Sequence, residues 1–416
     1  MKKLFAFGIL FTVYFSLTAQ KTIALEDCFM FYKFYPQSGA ELVFLKDGKH
    51  YVEIDQKGLH IRDLRDEKID SVVTLNLPKH AQQFDQFELS DDETKLLLRT
   101  ETEPIYRHSV LANYFVYDLK TQSTTAVCES EKQQFVTLSP DGKSAAYVAN
   151  NNLYIKDLVQ NRTIQITRDG AKNKIINGLP DWVYEEEFSP VDGNGMVATK
   201  WSPNSKYLAF IRFDETEVPE FKMTFYENAM YPRLSSFKYP KVGEKNSIVS
   251  VHLYNADSDD VEGEIMGLET TDYVPRIHFS TDNKLIVSRL NRRQDTLELL
   301  MALPERAIFD RDENKSYIPS RLVLQETDPA YVELEWESKL TFLKNDPNHF
   351  LYVNEKSGFT HIWYYPINPG PGETPKPLTS GSFDVTSFYG VNEKTGKFYF
   401  QAATPTPLDR QIWEGD

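Results

Sequence analysis

The sequence predicts an all-β fold of the β-propeller type. Three observations carry the prediction. A tight polar turn recurs seven times, each time between apolar runs. Successive turns are spaced by roughly 45 to 50 residues over the first three and the last pair, the period of a four-stranded propeller blade. The aromatics are mostly Tyr (23) and Phe (27), residues that favour strands. A β-sandwich, or several small β-domains, is the alternative, but a sandwich has no need for the same turn to recur in every unit.

Taken in order, residues 1–20 stand outside the fold. Lys2 and Lys3 form a positive n-region and Leu4 to Leu17 an apolar h-region. Ser16-Leu17-Thr18-Ala19 then ends in a small residue suited to signal-peptidase cleavage, so export is expected, to the periplasm or the extracellular space. An uncleaved anchor is the alternative, although the run is short for a span. No later run approaches about 18 apolar residues, so no membrane span is expected after cleavage. The turns follow: Lys46-Asp47-Gly48, Ser90-Asp91-Asp92-Glu93, Ser139-Pro140-Asp141-Gly142, Ser202-Pro203-Asn204-Ser205, Ser280-Thr281-Asp282-Asn283, Asn345-Asp346-Pro347-Asn348 and Asn392-Glu393-Lys394-Thr395-Gly396. Such residues tolerate positive φ or preset the first turn position. The wider steps in the middle imply insertions. Residues 168–196 carry an acidic cluster, 214–247 an aromatic arm punctuated by Pro, 303–335 a charged irregular stretch, and Pro369 to Pro377 a Pro/Gly-rich loop. Insertions in a propeller leave the blade as loops, where function concentrates. After the seventh turn a strand-like segment, Gln411-Ile412-Trp413, is left without a closing partner, so the array reads as about seven blades and as incomplete.

A formal charge of −15 argues against nucleic acid or an anionic membrane surface as partner. Cys28 and Cys128 stand 100 residues apart, without metal-ligand spacing; export leaves their pairing open. There is no Gly-x-Ser-x-Gly elbow, no phosphate loop and no dinucleotide fingerprint, and the eight histidines show no His-Glu-x-x-His. No catalytic residue, metal site or cofactor is assigned, and the chain reads as a recognition part.

Its most unusual stretch is Asp181-Trp182-Val183-Tyr184-Glu185-Glu186-Glu187-Phe188. Pro180-Asp181 starts a helical turn, with Asp181 as cap and Trp182, Val183 and Tyr184 as anchors. Adjacent carboxylates converge more readily on a helical turn than on a strand, and a convergent pair suits a donor-rich ammonium. A solvated acidic loop is the plain alternative. For Arg107, in Tyr106-Arg107-His108-Ser109, the plain alternative is a surface or blade-bridging role.

Asp181 to Phe188 resembles, position for position, the signature of dipeptidyl peptidase IV and its relatives in the prolyl oligopeptidase family of serine peptidases. Tyr106 to Ser109, Trp201 to Asn204, Tyr207 to Phe210, Asp214 to Pro219 and Tyr239 to Gly243 extend the similarity, which spans roughly residues 25 to 413. The resemblance implies an eight-bladed propeller over a C-terminal α/β-hydrolase domain. It further implies that Glu186 and Glu187 clamp the N-terminal amine of a peptide and that Arg107 holds the carbonyl of its second residue. Implied partners are a peptide with a free N-terminus, the hydrolase domain of the full-length enzyme, and a second copy through the arm near 225–245. The family's catalytic Ser, Asp and His lie in the hydrolase domain, which is expected to be absent from residues 21–416, leaving this chain inactive by itself. The full enzyme would remove N-terminal X-Pro or X-Ala dipeptides. A stand-alone, non-catalytic propeller that binds peptides or protein partners is the rival reading.

Overall fold

The computed structural model describes residues 23–30, 33–34, 42–55, 58–189, 196–226, 229–334 and 340–416. The expected signal segment, 1–20, lies outside them. The chain divides into two compact units, Met1–Thr74 and Leu75–Asp416. The first holds a short helix, Leu25–Phe29, and sheet I, an antiparallel set of four strands: Val43–Phe44, His50–Asp55, Gly58–Asp63 and Ile69–Val73.

The second unit is built around six further blade sheets in chain order. Sheet II comprises Phe84–Leu89, Lys95–Pro104, Val110–Asp118 and Thr124–Ala126; sheet III comprises Phe135–Leu138, Ser144–Ala149, Asn152–Asp157 and Arg162–Gln165. The blade strands of sheet IV are Thr199–Trp201, Tyr207–Asp214, Ile248–Asn255 and Asp260–Ile265, and those of sheet V are Ile277–Phe279, Leu285–Leu290, Thr296–Ala302 and Ser320–Thr327. Sheet VI comprises Thr341–Phe342, His349–Asn354, His361–Pro366 and Lys376–Pro377; sheet VII has Val385–Asn392, Lys397–Ala402 and Gln411–Gly415 as its outer strand. These are the blades of a β-propeller.

Each of the seven turns read from the sequence joins the first strand of its sheet to the second. In sheets II to V one small network explains why. The buried hydroxyl of Ser90, Ser139, Ser202 or Ser280 donates to the Asp92, Asp141, Asn204 or Asp282 side chain at 2.6, 2.7, 2.7 and 2.5 Å. The same hydroxyl accepts the backbone N–H of Lys95, Ser144, Tyr207 or Lys284 at 2.9 to 3.0 Å. Three residues after the serine the chain turns through positive φ, at Glu93, Gly142, Ser205 and Asn283. The turns also bind one another. Asp141 N–H donates to Ser205 Oγ at 3.0 Å, Asn204 N–H to Asn283 Oδ1 at 2.9 Å, and the Thr281 hydroxyl to the Leu343 carbonyl at 2.8 Å.

The core lies between successive sheets, and strand alternation distributes it. In Ser144–Ala149, Ala145, Tyr147 and Ala149 pack with Leu97, Tyr114 and Val116 of sheet II, whereas Ala146 and Val148 pack with Trp201, Leu208 and Phe210 of sheet IV. In sheet IV, Ala209, Ile211 and Phe213 turn the other way, against Leu285 and Val287 of sheet V. A strand buried on both faces reads as a continuous apolar run rather than as alternation, which is how these inner strands appear in the sequence.

The structure corrects the reading of 303–335 as irregular. Ile308–Asp310 and Lys315–Ile318 form a hairpin whose second strand pairs in parallel with Asp260–Ile265, and Ser320–Thr327 is the fourth strand of sheet V. These are outer strands with one face in solvent, so charge alternates through them and masks their β character. Gly263 lets the hairpin approach: a Cβ there would stand 2.7 Å from the Ser316 carbonyl oxygen. Both cysteines are free thiols. Among the described residues no helix is long and apolar enough to cross a membrane.

Candidate functional site

Three connections of the second unit meet at the acidic motif. The first is the link from sheet III to sheet IV, which contains the helix Trp182–Glu187. The second is the turn between the second and third strands of sheet II, Ile105 to Ser109, closed by the Ile105 N–H on the Ser109 carbonyl at 2.9 Å. The third is the arm, a hairpin of Glu220–Phe225 and Arg233–Lys238 inserted between the second and third strands of sheet IV, with Phe221 opposite Phe237.

The helix forms as its sequence dictates. Asp181 is the N-cap, with extended backbone, and its Oδ1 accepts the Tyr184 N–H at 2.9 Å. Its Oδ2 accepts the Ser247 hydroxyl at 2.5 Å, so the cap also ties the helix to the base of the arm. Burial pushes the Asp181 carboxyl up from its ordinary value, against the pull of the Ser247 hydroxyl and the Tyr184 N–H. Tyr184, 1% exposed, is the anchor. Its ring meets Phe188 at 4.9 Å and Phe213 at 4.8 Å, and its hydroxyl accepts the Val274 N–H at 2.9 Å. Trp182 packs on Tyr239 of the arm at 4.3 Å.

Residues four apart share a helix face, so Tyr184 and Phe188 define the buried one, and Glu185, three before Phe188, lies at its border. Glu185 is buried and accepts the N–H groups of His108 and Ser109, each at 3.0 Å, together with the Ser109 hydroxyl. Glu186 lies opposite this face, and Glu187, three after Tyr184, at its other border. Glu186 keeps 14% of its side chain exposed and faces Arg107 at 3.4 Å, and Glu187 is exposed. Of the residues expected from sequence, the structure therefore brings Arg107 and Glu186 together and leaves Glu187 open to solvent beside them. The Arg107 side chain is itself 72% exposed.

Further residues support this platform. Tyr106 packs on Phe237 at 5.9 Å, and Phe237 and Phe221 both contact Tyr239, so the arm touches the turn and the helix alike. Glu215 is buried behind the motif; burial, and then the Asp181 charge, push its carboxyl up to about 7, with Lys238 pulling the other way. Lys238 Nζ donates to the Thr216 and Val218 carbonyls at 3.2 and 2.7 Å. A cavity of about 720 Å³ opens beside the helix, lined in part by Ser247, Tyr273, Asp272, Lys245 and Arg292.

Two other constellations among the described residues are taken up by their own contacts. Ser250 and His252 share a hydrogen bond of 2.9 Å, but His252 stacks on Phe210 and burial lowers its pKa to about 4. His50, Asp63 and Asp70 could surround a metal, yet Asp47 and Asp70 occupy the two ring nitrogens at 2.5 and 2.8 Å and Arg65 holds Asp63 at 2.7 Å. The chemistry on offer at the motif is recognition: a carboxylate and a guanidinium side by side, with a second carboxylate open to solvent on the same helix, suited to a ligand that carries a cation next to a hydrogen-bond acceptor.

Comparison with known proteins bears on the family and the fold. Residues 90–414 match the model of the dipeptidyl peptidase IV (DPP IV) N-terminal region. Dipeptidyl-aminopeptidase B of Aspergillus niger is 29% identical over 356 residues, covering 78% of this chain and 37% of that protein. Dipeptidyl peptidase 4 of Arthroderma otae is 28% identical over 383 residues, covering 88% of this chain and 46% of that one. The crystal structure of Porphyromonas gingivalis dipeptidyl peptidase 4 superposes with a TM-score of 0.83 at 32% identity, over 95% of this chain and 54% of its own. The chain thus spans less than half the length of these curated relatives and about half of the solved structure.

Proposed function

We propose, for a chain that belongs to the family of dipeptidyl peptidase IV N-terminal regions, that it is the substrate-recognition propeller of an exported dipeptidyl peptidase. Glu186 and Glu187 receive the α-ammonium of a peptide, and Arg107 receives the carbonyl of its second residue. The observation that carries this reading is the placement of the Arg107 guanidinium 3.4 Å from Glu186, with Glu187 exposed next to it on a helix fixed by Asp181 and Tyr184.

The physical logic is that of a ruler. An ammonium offers three N–H donors and suits two carboxylates, whereas a carbonyl oxygen suits a guanidinium. Fixing both ends of the first two residues presents the bond after the second residue at a set place, and positioning of this kind supplies a large part of a rate enhancement. An acyl-transfer serine, with its Asp and His, would come from a separate α/β-hydrolase domain, and the whole enzyme would release X-Pro or X-Ala dipeptides. Residues 1–20 would direct export, and 21–416 would form the propeller. A second copy would pair through the arm, where Tyr226, Met230, Tyr231 and Leu234 are exposed.

Calorimetric titration of the chain with Ala-Pro-Ala and with N-acetyl-Ala-Pro-Ala tests the proposal. The free peptide is expected to bind and the acetylated one to bind at least tenfold more weakly, with Glu186→Gln and Glu187→Gln each lowering affinity for the free peptide only. Equal affinities for the two peptides would overturn it.

A further inference from the structure

We propose that Glu185 is the positioning residue of this site: its buried carboxylate grips the 106–109 turn and thereby stands Arg107 opposite Glu186. The inference rests on the reading of Arg107 and Glu186 as peptide ligands and assigns a separate task to the first acid of the run. Glu185 is 3% exposed, and its donors lie 76 and 77 residues away in the chain, on a different sheet. His108 N–H and Ser109 N–H reach one carboxylate oxygen at 3.0 Å each, and the Ser109 hydroxyl reaches the other. A buried carboxylate is tolerated only when its lone pairs are met by donors, and here they are met by the turn itself.

The ion pair does not explain where Arg107 stands. Its side chain is 72% exposed and 3.4 Å from Glu186, and a pair whose cation stands open to solvent holds little. The backbone on both sides of the guanidinium is held instead. Glu185 takes the two N–H groups that follow Arg107, and the Tyr106 ring that precedes it packs on Phe237 of the arm. Hydrogen bonds to a charged acceptor are the stronger kind. The three acids thus divide by what they meet: Glu185 accepts from the turn, Glu186 stands beside Arg107, and Glu187 opens to solvent.

Two measurements on the full chain test this. Arg107 is itself a tryptic site, so trypsin reads the opening of the turn without any ligand. Cleavage after Arg107 should be at least tenfold faster in Glu185→Ala than in the wild type. It should be accelerated less in Ser109→Ala, and be close to wild type in Glu185→Gln, which still accepts the two N–H groups. In titrations with Ala-Pro-Ala, Glu185→Ala should weaken binding by the same factor as Arg107→Ala, with no further loss in the double variant; a general loss of structure would instead multiply the two factors. An unchanged tryptic rate, or multiplying losses, overturns the proposal. Should Glu185→Ala fail to fold, Ser109→Ala and Glu185→Gln carry the same comparison. Should the wild type bind free and acetylated peptide alike, the amine reading fails, and the tryptic rates alone decide whether Glu185 holds the turn.

Discussion

Replacing Glu215 by Gln should stabilise the protein at neutral and alkaline pH and leave it unchanged in acid. Glu215 is 6% exposed, close to the buried Asp181 and to Lys238. Its pKa rises from 4.5 to about 7 because burial and the Asp181 charge disfavour the ionised form. Below pH 4.5 the carboxyl is protonated in the folded and the unfolded chain, and contributes no pH dependence. Between 4.5 and about 7 the unfolded chain ionises while the folded one does not, so stability falls as pH rises. Above about 7 both are ionised and the whole cost remains, about 3 kcal/mol at most from the separation of the two pKa values. Solvent at the edge of the group screens it and brings the realised figure lower. Chemical unfolding of the wild type and Glu215→Gln at pH 4 and pH 8 measures this directly. The two proteins should coincide at pH 4, and the variant should lead by roughly 1 to 3 kcal/mol at pH 8. The same difference at both pH values would refute the linkage, and so would a variant that is weaker at pH 8, since the ionised carboxylate would then be serving as a needed acceptor.

Other parts of the structure give sharper local tests. Tyr184→Phe keeps the ring contacts but strands the buried Val274 N–H that now donates to the hydroxyl at 2.9 Å; unfolding should show a loss of about 1 to 3 kcal/mol. Gly263→Ala places a Cβ 2.7 Å from the Ser316 carbonyl oxygen, so the 308–318 hairpin must shift. A cost of about 1 to 3 kcal/mol is expected, with faster hydrogen exchange at Ile265 and Ile318, which pair there.

How much of the fold and the site is legible in the sequence follows the range of each interaction. The seven turns can be read because each is a short polar connection between neighbouring strands, and the four of sheets II to V are closed within a few residues through a serine hydroxyl and an Asp or Asn two positions on, as at Ser139 and Asp141. Asp181 can be read as a cap for the same reason, since its partner is Tyr184. The division of labour among Glu185, Glu186 and Glu187 is not legible, because Glu185 finds its donors in sheet II, far off in sequence. A helical wheel through Tyr184 and Phe188 puts Glu185 and Glu187 at opposite borders of the buried face, and does not say which of them holds the turn. Glu215 and Ser247 escape a sequence reading for a like reason: their importance comes from burial against Asp181, which no local pattern announces. The outer strands between 303 and 327 are hidden because solvent on one face lets charge interrupt the β pattern.

The central claim is that the acidic pair reads a peptide's α-ammonium, and the pH dependence of peptide binding tests it most directly. An α-amine titrates near pH 8 and has lost almost all of its charge about two pH units higher. Affinity of the chain for Ala-Pro-Ala should therefore hold steady up to about pH 7 and then fall, approaching tenfold per pH unit beyond about pH 8. An affinity that stays level from about pH 7 to about pH 10 would contradict the claim, for it would mean that the charge on the amine is not what the site recognises.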